Sequence, residues 1–231
     1  MIDRRPLLLG HRGARREAPE NSLAALELAL AHGCDGFEFD VRATADGRSI
    51  LCHDAMLFRR SIRRSAYSKL VTAGAKRRQP SRADREILPC LEDVVERFAD
   101  RAFLDIEIKV PGMEKAVVDA LRGAPRGRLV VSSFLSDVVL ELRRLDRQLP
   151  LGWVCDRRYR LPKWRELPCE VVIPHYRICD ERLVATIHQA GKRAFVWTVN
   201  RQAAMMRFAS MGVDAIISDD TRLLSRAFHR I

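Results

Sequence analysis

The sequence lacks any long hydrophobic run. No apolar stretch approaches the roughly 18 residues that a membrane-spanning helix needs. The opening segment, MIDRRPLLLGHRG, combines basic residues with an apolar run of only about four residues, against the 7–15 of a signal-peptide core. We therefore expect a soluble protein that stays in the cytoplasm.

Paired cysteine motifs are absent as well. The six cysteines are dispersed, form no CxxC pair and have no spacing that resembles a zinc site. In a chain of this size without a secretion signal, we expect reduced thiols rather than disulfides. Internal repeats, linkers and low-complexity segments are also lacking, so the 231 residues, 47% of them hydrophobic, predict one domain over residues 1–231.

Lysine is scarce, with 6 residues beside 35 arginines in a chain of net charge +11. The basic residues are scattered over predicted helices and loops rather than gathered in one tract, so we expect no nucleic-acid partner. Two explanations of the charge stay open. The arginines either cover the solvated surface of a protein from an arginine-favouring genome, or form an electropositive surface that attracts phosphate-bearing or membrane-surface substrates.

What the sequence does contain is centred on residues 36–54, GFEFDVRATADGRSILCHD, which predict a β-hairpin. Polar and apolar residues alternate in its first half, as in a strand, and Asp46-Gly47 is typical of a two-residue turn. Such a turn would place Asp40 directly opposite His53 at roughly 5 Å, with Glu38 on the same face. One hairpin would thus gather two carboxylates and an imidazole.

Two further predicted strands carry polar residues toward the same place. Residues 7–9 are apolar and lead into His11-Arg12-Gly13. Residues 102–109 alternate, so that Asp105, Glu107 and Lys109 share one face. These side chains could complete a site that the hairpin begins.

Predicted strands and helices alternate along the chain. We expect eight parallel strands at residues 7–9, 36–42, 102–108, 128–132, 150–155, 170–174, 193–198 and 214–217, with 49–53 as a hairpin return. We expect helices at about 22–31, 65–73, 91–98, 114–122, 136–146, 180–190 and 201–211, and a short Pro-bounded segment near 162–167. This order predicts an α/β fold, a closed (β/α)₈ TIM barrel with an extra hairpin strand after strand 2 and a short, basic insertion at residues 55–88. In such barrels the chemistry lies at the C-terminal ends of strands. Residues at or just past such ends are His11, Asp40, Glu107, His175, Trp197 and Asp219.

Seven short motifs occur together and in order. They are His11-Arg12-Gly13, Pro19-Glu20-Asn21-Ser22, Glu38-x-Asp40-Val41, Thr44-x-Asp46-Gly47, His53-Asp54, Ile106-Glu107-Ile108-Lys109 and Trp197-Thr198-Val199-Asn200. In this ordered set the chain, from Leu9 to Asp219, resembles the glycerophosphodiester phosphodiesterase family. The resemblance implies a TIM barrel that hydrolyses glycerophosphodiesters to glycerol 3-phosphate and an alcohol, with a small-molecule phosphodiester as partner.

The resemblance implies that Glu38, Asp40 and Glu107 bind one divalent cation. Carboxylates, with water in the remaining positions, suit Mg²⁺ or Ca²⁺ rather than a thiol-binding metal. From the residues alone, an alternative stays open. Each carboxylate could line the barrel as an ion-pair partner of Lys109 or Arg42.

The other matched residues have implied roles in the reaction. His11 and His53 would be the acid–base pair, since one proton leaves the nucleophile and another reaches the leaving alkoxide. Arg12 and Lys109 would offset charge on the phosphorus centre, although Arg12 could simply pair with an inner carboxylate. Trp197 and Phe134 are expected to bind substrate, although each could equally be a packing residue. Asn21 or Ser22 is expected to cap a helix, with Asn21 supporting the His11 loop and Glu20 as an outer partner of the site. Asp54 could orient His53, but as its neighbour in a strand it would point to the other face. Water at the metal and a hydroxyl of the substrate glycerol both remain possible nucleophiles.

The chain departs from the family in the region that shapes the substrate pocket. After His53-Asp54 the family continues roughly as xxLxRTT, whereas residues 55–61 are AMLFRRS and lose the threonines. A Pro expected soon after Asp219 is also absent. Two alternatives to the leading function therefore stay open. One is a lipid-directed phosphodiesterase, of lysophospholipase D or phospholipase type, that meets an anionic membrane surface transiently. The other is a non-catalytic anion-binding barrel. The sequence does not set the oligomeric state.

Overall fold

The computed structural model describes residues 5–75 and 88–228. Residues 76–87, toward the end of the expected insertion, lie outside the described residues. The strands are β1 (Leu7–His11), β2 (Gly36–Ala43), β3 (Ser49–Leu51), β4 (Met56–Leu57), β5 (Arg60–Ser61), β6 (Phe103–Ile108), β7 (Leu129–Ser133), β8 (Leu151–Cys155), β9 (Val171–Pro174), β10 (Arg193–Val196) and β11 (Ala215–Ser218). The helices are α1 (Leu23–Ala31), α2 (Tyr67–Ala75), α3 (Leu91–Phe98), α4 (Glu114–Ala120), α5 (Ser136–Leu145), α6 (Glu181–Gln189), α7 (Gln202–Ser210) and α8 (Thr221–Phe228). Within these ranges, no helix combines the length and the hydropathy needed to cross a bilayer.

The expected closed barrel is confirmed. Eight parallel strands follow the order β1, β11, β10, β9, β8, β7, β6 and β2, and the pairing of β1 with β2 closes the ring. Strand β3 lies outside the ring, antiparallel to the upper part of β2. The connection from β8 to β9 has a 3₁₀ helix at Arg158–Arg165 that contains Pro162, where the sequence predicts a Pro-bounded break.

Hydrophobic side chains fill two layers, one inside the ring and one between the ring and the helices. The inner layer is capped by Phe103 and Phe195, whose ring centroids are 5.8 Å apart. In the outer layer, Phe37 of β2 packs edge-on against Phe98 of α3 at 5.2 Å. Because both faces of each ring strand are covered, these strands are mostly apolar, and the polar side chains of the candidate site lie toward their C-terminal ends.

The hairpin register differs from the prediction by one residue. Val41 pairs with Leu51 and Arg42 with Ile50. The loop has three residues rather than two, because the N–H of Gly47 donates to the carbonyl of Thr44 and Gly47 takes φ +80°, as in a type I turn closed by a bulge. The expected pairing of Asp40 with His53 is therefore wrong, and the N–H of Cys52 donates to the carbonyl of Asp40 instead, at 3.0 Å.

Helix α8 is absent from the predicted elements. Its apolar stripe is short, with Leu224 and Ala227 as its buried aliphatic side chains, so periodicity alone gives a weak signal. The stronger signal is its first turn, where the Oδ1 of Asp220 accepts a hydrogen bond from the N–H of Leu223 at 2.9 Å. An acidic residue in this position is typical of a helix N-terminus.

Candidate active site

Three carboxylates converge at the C-terminal end of the barrel. The parallel register of β2 and β6 places Asp40 beside Glu107. Glu38 lies two residues before Asp40, on the same face of β2. One oxygen from each of the three lies within 4.8 Å of the others, and all three side chains are buried. The structure thus brings together the three carboxylates that were named as candidate metal ligands.

Two cations and one amide contact this cluster. The Nε of Arg12 lies 3.0 Å from Oδ2 of Asp40. The Nζ of Lys109 lies 2.5 Å from Oε1 of Glu107 and 3.2 Å from Oδ1 of Asp40. Asn21 donates through Nδ2 to Oδ2 of Asp40 at 2.9 Å and accepts the N–H of Asp40 at 3.1 Å. Asn21 thus fixes a carboxylate, which corrects its expected helix-capping role. Ser22 caps α1 instead, by accepting the N–H of Ala25.

The charge of the cluster is only partly balanced by these partners. Burial, together with the charges of Asp40 and Glu107, raises the pKa of Glu38 well above its usual value. Burial also raises the pKa of Glu107 to about 7, against the lowering effect of Lys109. At Asp40 burial acts in the same direction, but Lys109 and Arg12 outweigh it and lower the pKa.

The donor set fits a divalent cation. Oε1 of Glu38 and Oδ1 of Asp40 are buried and accept no well-aligned hydrogen bond from the described residues, although Lys109 lies near the latter. A buried oxygen without a partner is costly, and two of them beside a third carboxylate provide the hard, anionic ligands that Mg²⁺ and Ca²⁺ prefer. Glu38, Asp40 and Glu107 could therefore hold such an ion.

The loop after β1 brings His11 to the cluster. Arg12 and Gly13 both adopt left-handed backbone conformations, with φ +58° and +78°. At Gly13 a Cβ would lie 2.5 Å from the carbonyl carbon of Ala25 in α1, so only glycine fits this close approach. The turn leaves Nε2 of His11 at 3.8 Å from Oε2 of Glu38.

The other ring nitrogen of His11 is held by an acid. Nδ1 of His11 lies 2.6 Å from Oδ1 of Asp219, just past β11. Oδ2 of Asp219 accepts from Nδ2 of Asn200 at 2.6 Å, and the N–H of Asp219 donates back to Oδ1 of Asn200 at 2.9 Å. Burial raises the pKa of Asp219, but the His11 and Asn200 contacts outweigh it and lower the pKa to about 2. Asp219 is therefore ionised, and Nδ1 donates to it.

His11 itself is nearly enclosed by these neighbours. Burial lowers the pKa of His11, and the charge of Arg12 acts in the same direction, while Asp219 opposes both. The neutral imidazole then presents an unprotonated Nε2 toward the carboxylates. Asp219 was predicted to lie at a strand end, without a role. Its signal is that Asp219 directly follows β11, while Asn200 lies in the loop that follows the neighbouring strand β10.

His53 lies at the open side of the cluster. Its side chain is 37% exposed, and a charge on its ring would lower the pKa of Asp40. Nδ1 of His53 lies 2.8 Å from Oδ1 of Asp54. Strand β3 ends at Leu51, so the two neighbours do not alternate between faces, and the expectation that Asp54 points away is wrong.

Aromatic side chains form one wall above the carboxylates. Trp197 donates from Nε1 to the carbonyl of Ile173 at 3.1 Å, and its ring lies edge-on to Phe134 at 5.6 Å and to His175 at 5.1 Å. Nζ of Lys109 lies 5.6 Å from the centroid of Phe134. Trp197 thus both packs and faces the site. The cavity there, of about 20 Å³, is lined by His11, Glu38, Asp105, Glu107, Ser132, Val154, Ile173, Trp197 and Ile217.

A larger cleft of about 640 Å³ lies at the opposite end of the barrel, among residues that precede the strands, including Arg5, Arg101 and Arg193. It shares no residue with the carboxylate cluster. Because the active sites of these barrels lie at the C-terminal ends of the strands, the smaller cavity is the candidate active site.

Comparisons with known proteins agree with this assignment. A family model described as the glycerophosphoryl diester phosphodiesterase family matches residues 11–223. The chain is 30% identical over 234 residues to a glycerophosphodiester phosphodiesterase of Caldanaerobacter subterraneus subsp. tengcongensis, and the match covers 94% of this chain and 96% of that protein.

Solved structures of similar fold include a phosphodiesterase of Oleispira antarctica in complex with the product sn-glycerol-3-phosphate. That structure superimposes with a TM-score of 0.84 at 25% identity and covers 98% of both chains. A glycerophosphodiester phosphodiesterase of Thermotoga maritima gives a TM-score of 0.80 at 24% identity, over 96% of this chain and 98% of that one, which supports the fold alone.

Proposed function

The chain belongs to the glycerophosphoryl diester phosphodiesterase family and is a phosphoric diester hydrolase, and we propose that it splits glycerophosphodiesters into glycerol 3-phosphate and an alcohol with one divalent cation and a histidine acid–base pair. The observation that carries this proposal is the meeting of three buried carboxylates with Nε2 of His11. The bound product of the Oleispira antarctica structure supports glycerol 3-phosphate as the product here.

The cation would be held by Glu38, Asp40 and Glu107. When bound, it supplies positive charge that stabilises the negative charge developing on the phosphoryl oxygens. An all-oxygen donor set suits either Mg²⁺ or Ca²⁺. Oε1 of Glu38 and Oδ1 of Asp40 support the presence of a cation, because both are buried and neither accepts a well-aligned hydrogen bond from the described residues.

The two histidines would divide the two proton transfers of the reaction. Asp219 and Asp54 each occupy Nδ1 of one ring, so Nε2 is the nitrogen of each ring that remains for the substrate. One imidazole would remove the proton of the nucleophile, and the other would protonate the leaving alkoxide, whose unassisted departure is slow. The carboxylate partners would stabilise the imidazolium that each ring becomes.

Arg12 and Lys109 would place positive charge beside the phosphate. Both already lie against Asp40, and Arg12 is held from its other end by Oε1 of Glu20 at 2.9 Å. Preorganised cations in a water-poor site stabilise developing charge more strongly than in bulk solvent. Trp197 and Phe134 would contact the apolar edge of the substrate.

Neither alternative function is favoured. A barrel that only binds anions would repel them with three buried carboxylates unless a cation were bound first. The lipid-directed reaction has no support in the described cavity. The leading proposal therefore stands alone as a catalytic function.

The deciding experiment is release of glycerol 3-phosphate from a panel of glycerophosphodiesters, with and without EDTA. We expect EDTA and His11→Ala each to abolish release, and added Mg²⁺ or Ca²⁺ to restore it in the wild type. His188→Ala is the matched control, since His188 also pairs with an aspartate, Asp214 at 2.9 Å, but away from the site. Full activity in EDTA would rule out the metal requirement. Full activity of His11→Ala would rule out the acid–base role of His11.

A further inference from the structure

The cations of residues 55–75 are not balanced by acids. This segment, defined here as the basic rim, contains five basic residues and no Asp or Glu. All five are exposed, and within the described chain none of them has an ion-pair partner. They are Arg59, Arg60, Arg63, Arg64 and Lys69.

Basic residues at the other end of the barrel behave differently. Arg5 pairs with Asp35 at 2.6 Å, Arg101 with Glu27 at 2.6 Å, and Arg126 with Asp146 at 2.6 Å. These arginines precede the strands that they lead into, so they lie around the N-terminal ends of the barrel. These three arginines are thus neutralised, whereas the five cations of the basic rim have no acidic partner among the described residues.

The basic rim borders the candidate active site. It follows His53 and Asp54 directly, and its backbone is anchored to the barrel because the N–H of Ala45 donates to the carbonyl of Ser65 at 2.9 Å. Its hairpin of β4 and β5 and its helix α2 therefore stand at the mouth from which substrate enters. Arg158, after β8, adds an exposed cation without a described ion pair across that mouth.

Exposed apolar side chains lie among these cations. Met56 is 53% exposed and Val71 is 42% exposed, both within the basic rim. Tyr159, beside Arg158 at the far side of the mouth, is 82% exposed. A surface that serves only to steer small anions needs charge and gains nothing from exposed Met and Tyr side chains. A lipid surface contacts both kinds, because cations meet the head groups and apolar or aromatic tips enter the interface.

We propose that the basic rim docks on an anionic lipid bilayer, so that the mouth of the barrel faces the membrane surface. The partner follows from charge complementarity, since each basic residue near an anionic membrane favours binding by about a factor of five. Docking of this kind is peripheral and reversible, and it falls off with ionic strength because the Debye length is about 8 Å at physiological salt. It requires no change in the bond that the active site cleaves.

The test uses sedimentation of the full-length protein with vesicles of phosphatidylcholine, alone or mixed with phosphatidylglycerol. The wild type is expected to sediment with the mixed vesicles at low salt and to be released by high salt. It is expected not to sediment with vesicles of pure phosphatidylcholine. A threefold variant in the basic rim should lose partitioning on the order of 100-fold. Its substitutions are Arg63→Gln, Arg64→Gln and Lys69→Gln.

The matched control removes three exposed cations from the opposite half of the barrel. Its substitutions are Arg122→Gln, Arg147→Gln and Arg207→Gln, and it should bind the mixed vesicles like the wild type. Equal loss in both variants would overturn the proposal, because net charge rather than the basic rim would then explain binding. Failure of the wild type to bind phosphatidylglycerol at low salt would overturn it too.

Hydrolysis of a soluble glycerophosphodiester, measured on the same samples, separates this proposal from the catalytic one. Both threefold variants are expected to keep wild-type turnover, which also shows that they fold. If the wild type does not hydrolyse the substrate, the catalytic proposal is contradicted. The vesicle result still tests the docking proposal independently.

Discussion

Nδ1 of His11 lies 2.6 Å from Oδ1 of Asp219, although the two residues are 208 positions apart in the chain. The contact fixes which nitrogen of the imidazole faces the carboxylate cluster. Asn200 holds the acid in turn through two hydrogen bonds. The orientation of the buried histidine therefore depends on two residues that neither touch the cation site nor belong to its strands.

Asp219→Asn should lower turnover by about 100-fold or more, because the amide no longer holds the productive tautomer or stabilises the imidazolium. The measurement is kcat on a glycerophosphodiester. Loss of the carboxylate also removes the contacts that raise the pKa of His11, so the limb of the pH–rate profile that reports His11 should move to lower pH. Asp214→Asn, which breaks a similar Asp–His contact outside the site, should leave both unchanged. Equal kcat in the two variants would argue against a positioning role for Asp219.

Asp219 should also stabilise the fold at neutral pH. Its pKa is lowered to about 2 in the folded protein from 3.8, so the stabilisation is present above about pH 4 and is lost as pH falls toward about 2. The expected contribution to the free energy of unfolding is about 1–2 kcal/mol, since the side chain is partly exposed. Urea denaturation of the wild type and Asp219→Asn at several pH values tests this. A stability difference that grows on acidification would contradict it.

Glu38→Gln should remove the response of the protein to divalent ions. In EDTA we expect this variant to melt at the wild-type temperature or above, because the substitution relieves repulsion among buried carboxylates that raises the pKa of Glu38. Added Mg²⁺ or Ca²⁺ should raise the melting temperature of the wild type and not that of the variant. Glu114→Gln serves as a control, since Glu114 is also buried but accepts the N–H of Gly112 outside the site. A wild-type melting temperature indifferent to both ions would oppose the cation site.

Asn21→Gly should weaken cation binding by about 10- to 100-fold while leaving the loop intact. Asn21 has φ +57°, which glycine adopts without strain. The variant loses the amide that orients Asp40, and partners of metal ligands typically contribute an effect of this size. The neighbouring Ser22→Gly, which removes only a helix cap, should bind the ion normally. Isothermal titration calorimetry of both variants with Mg²⁺ or Ca²⁺ measures this difference in affinity.

The barrel and its carboxylate cluster were predictable because they depend on short-range patterns. Alternation along β2 and β6 sets which side chains face inward, and the parallel register then brings Asp40 beside Glu107. The hairpin register was not predictable to one residue, since Asp46-Gly47 occurs in both two- and three-residue loops and the backbone of Thr44 decides between them.

Contacts that join distant segments could not be obtained from spacing. The Asn21 contact with Asp40 and the Asp219 contact with His11 depend on how loops fold over the strand ends. The proximity of Asp54 to His53 depends on β3 ending at Leu51, two residues earlier than expected. In each case the sequence identified the residue but not the orientation of its side chain.

The parts of the candidate site are made at different times during synthesis. All three carboxylates lie between residues 38 and 107, on the adjacent strands β2 and β6, so the proposed cation ligands are all translated before β7. Asp219, which contacts His11, follows β11, the last ring strand along the chain. The orientation of His11 therefore has to wait until β11 has been made and pairs with β1.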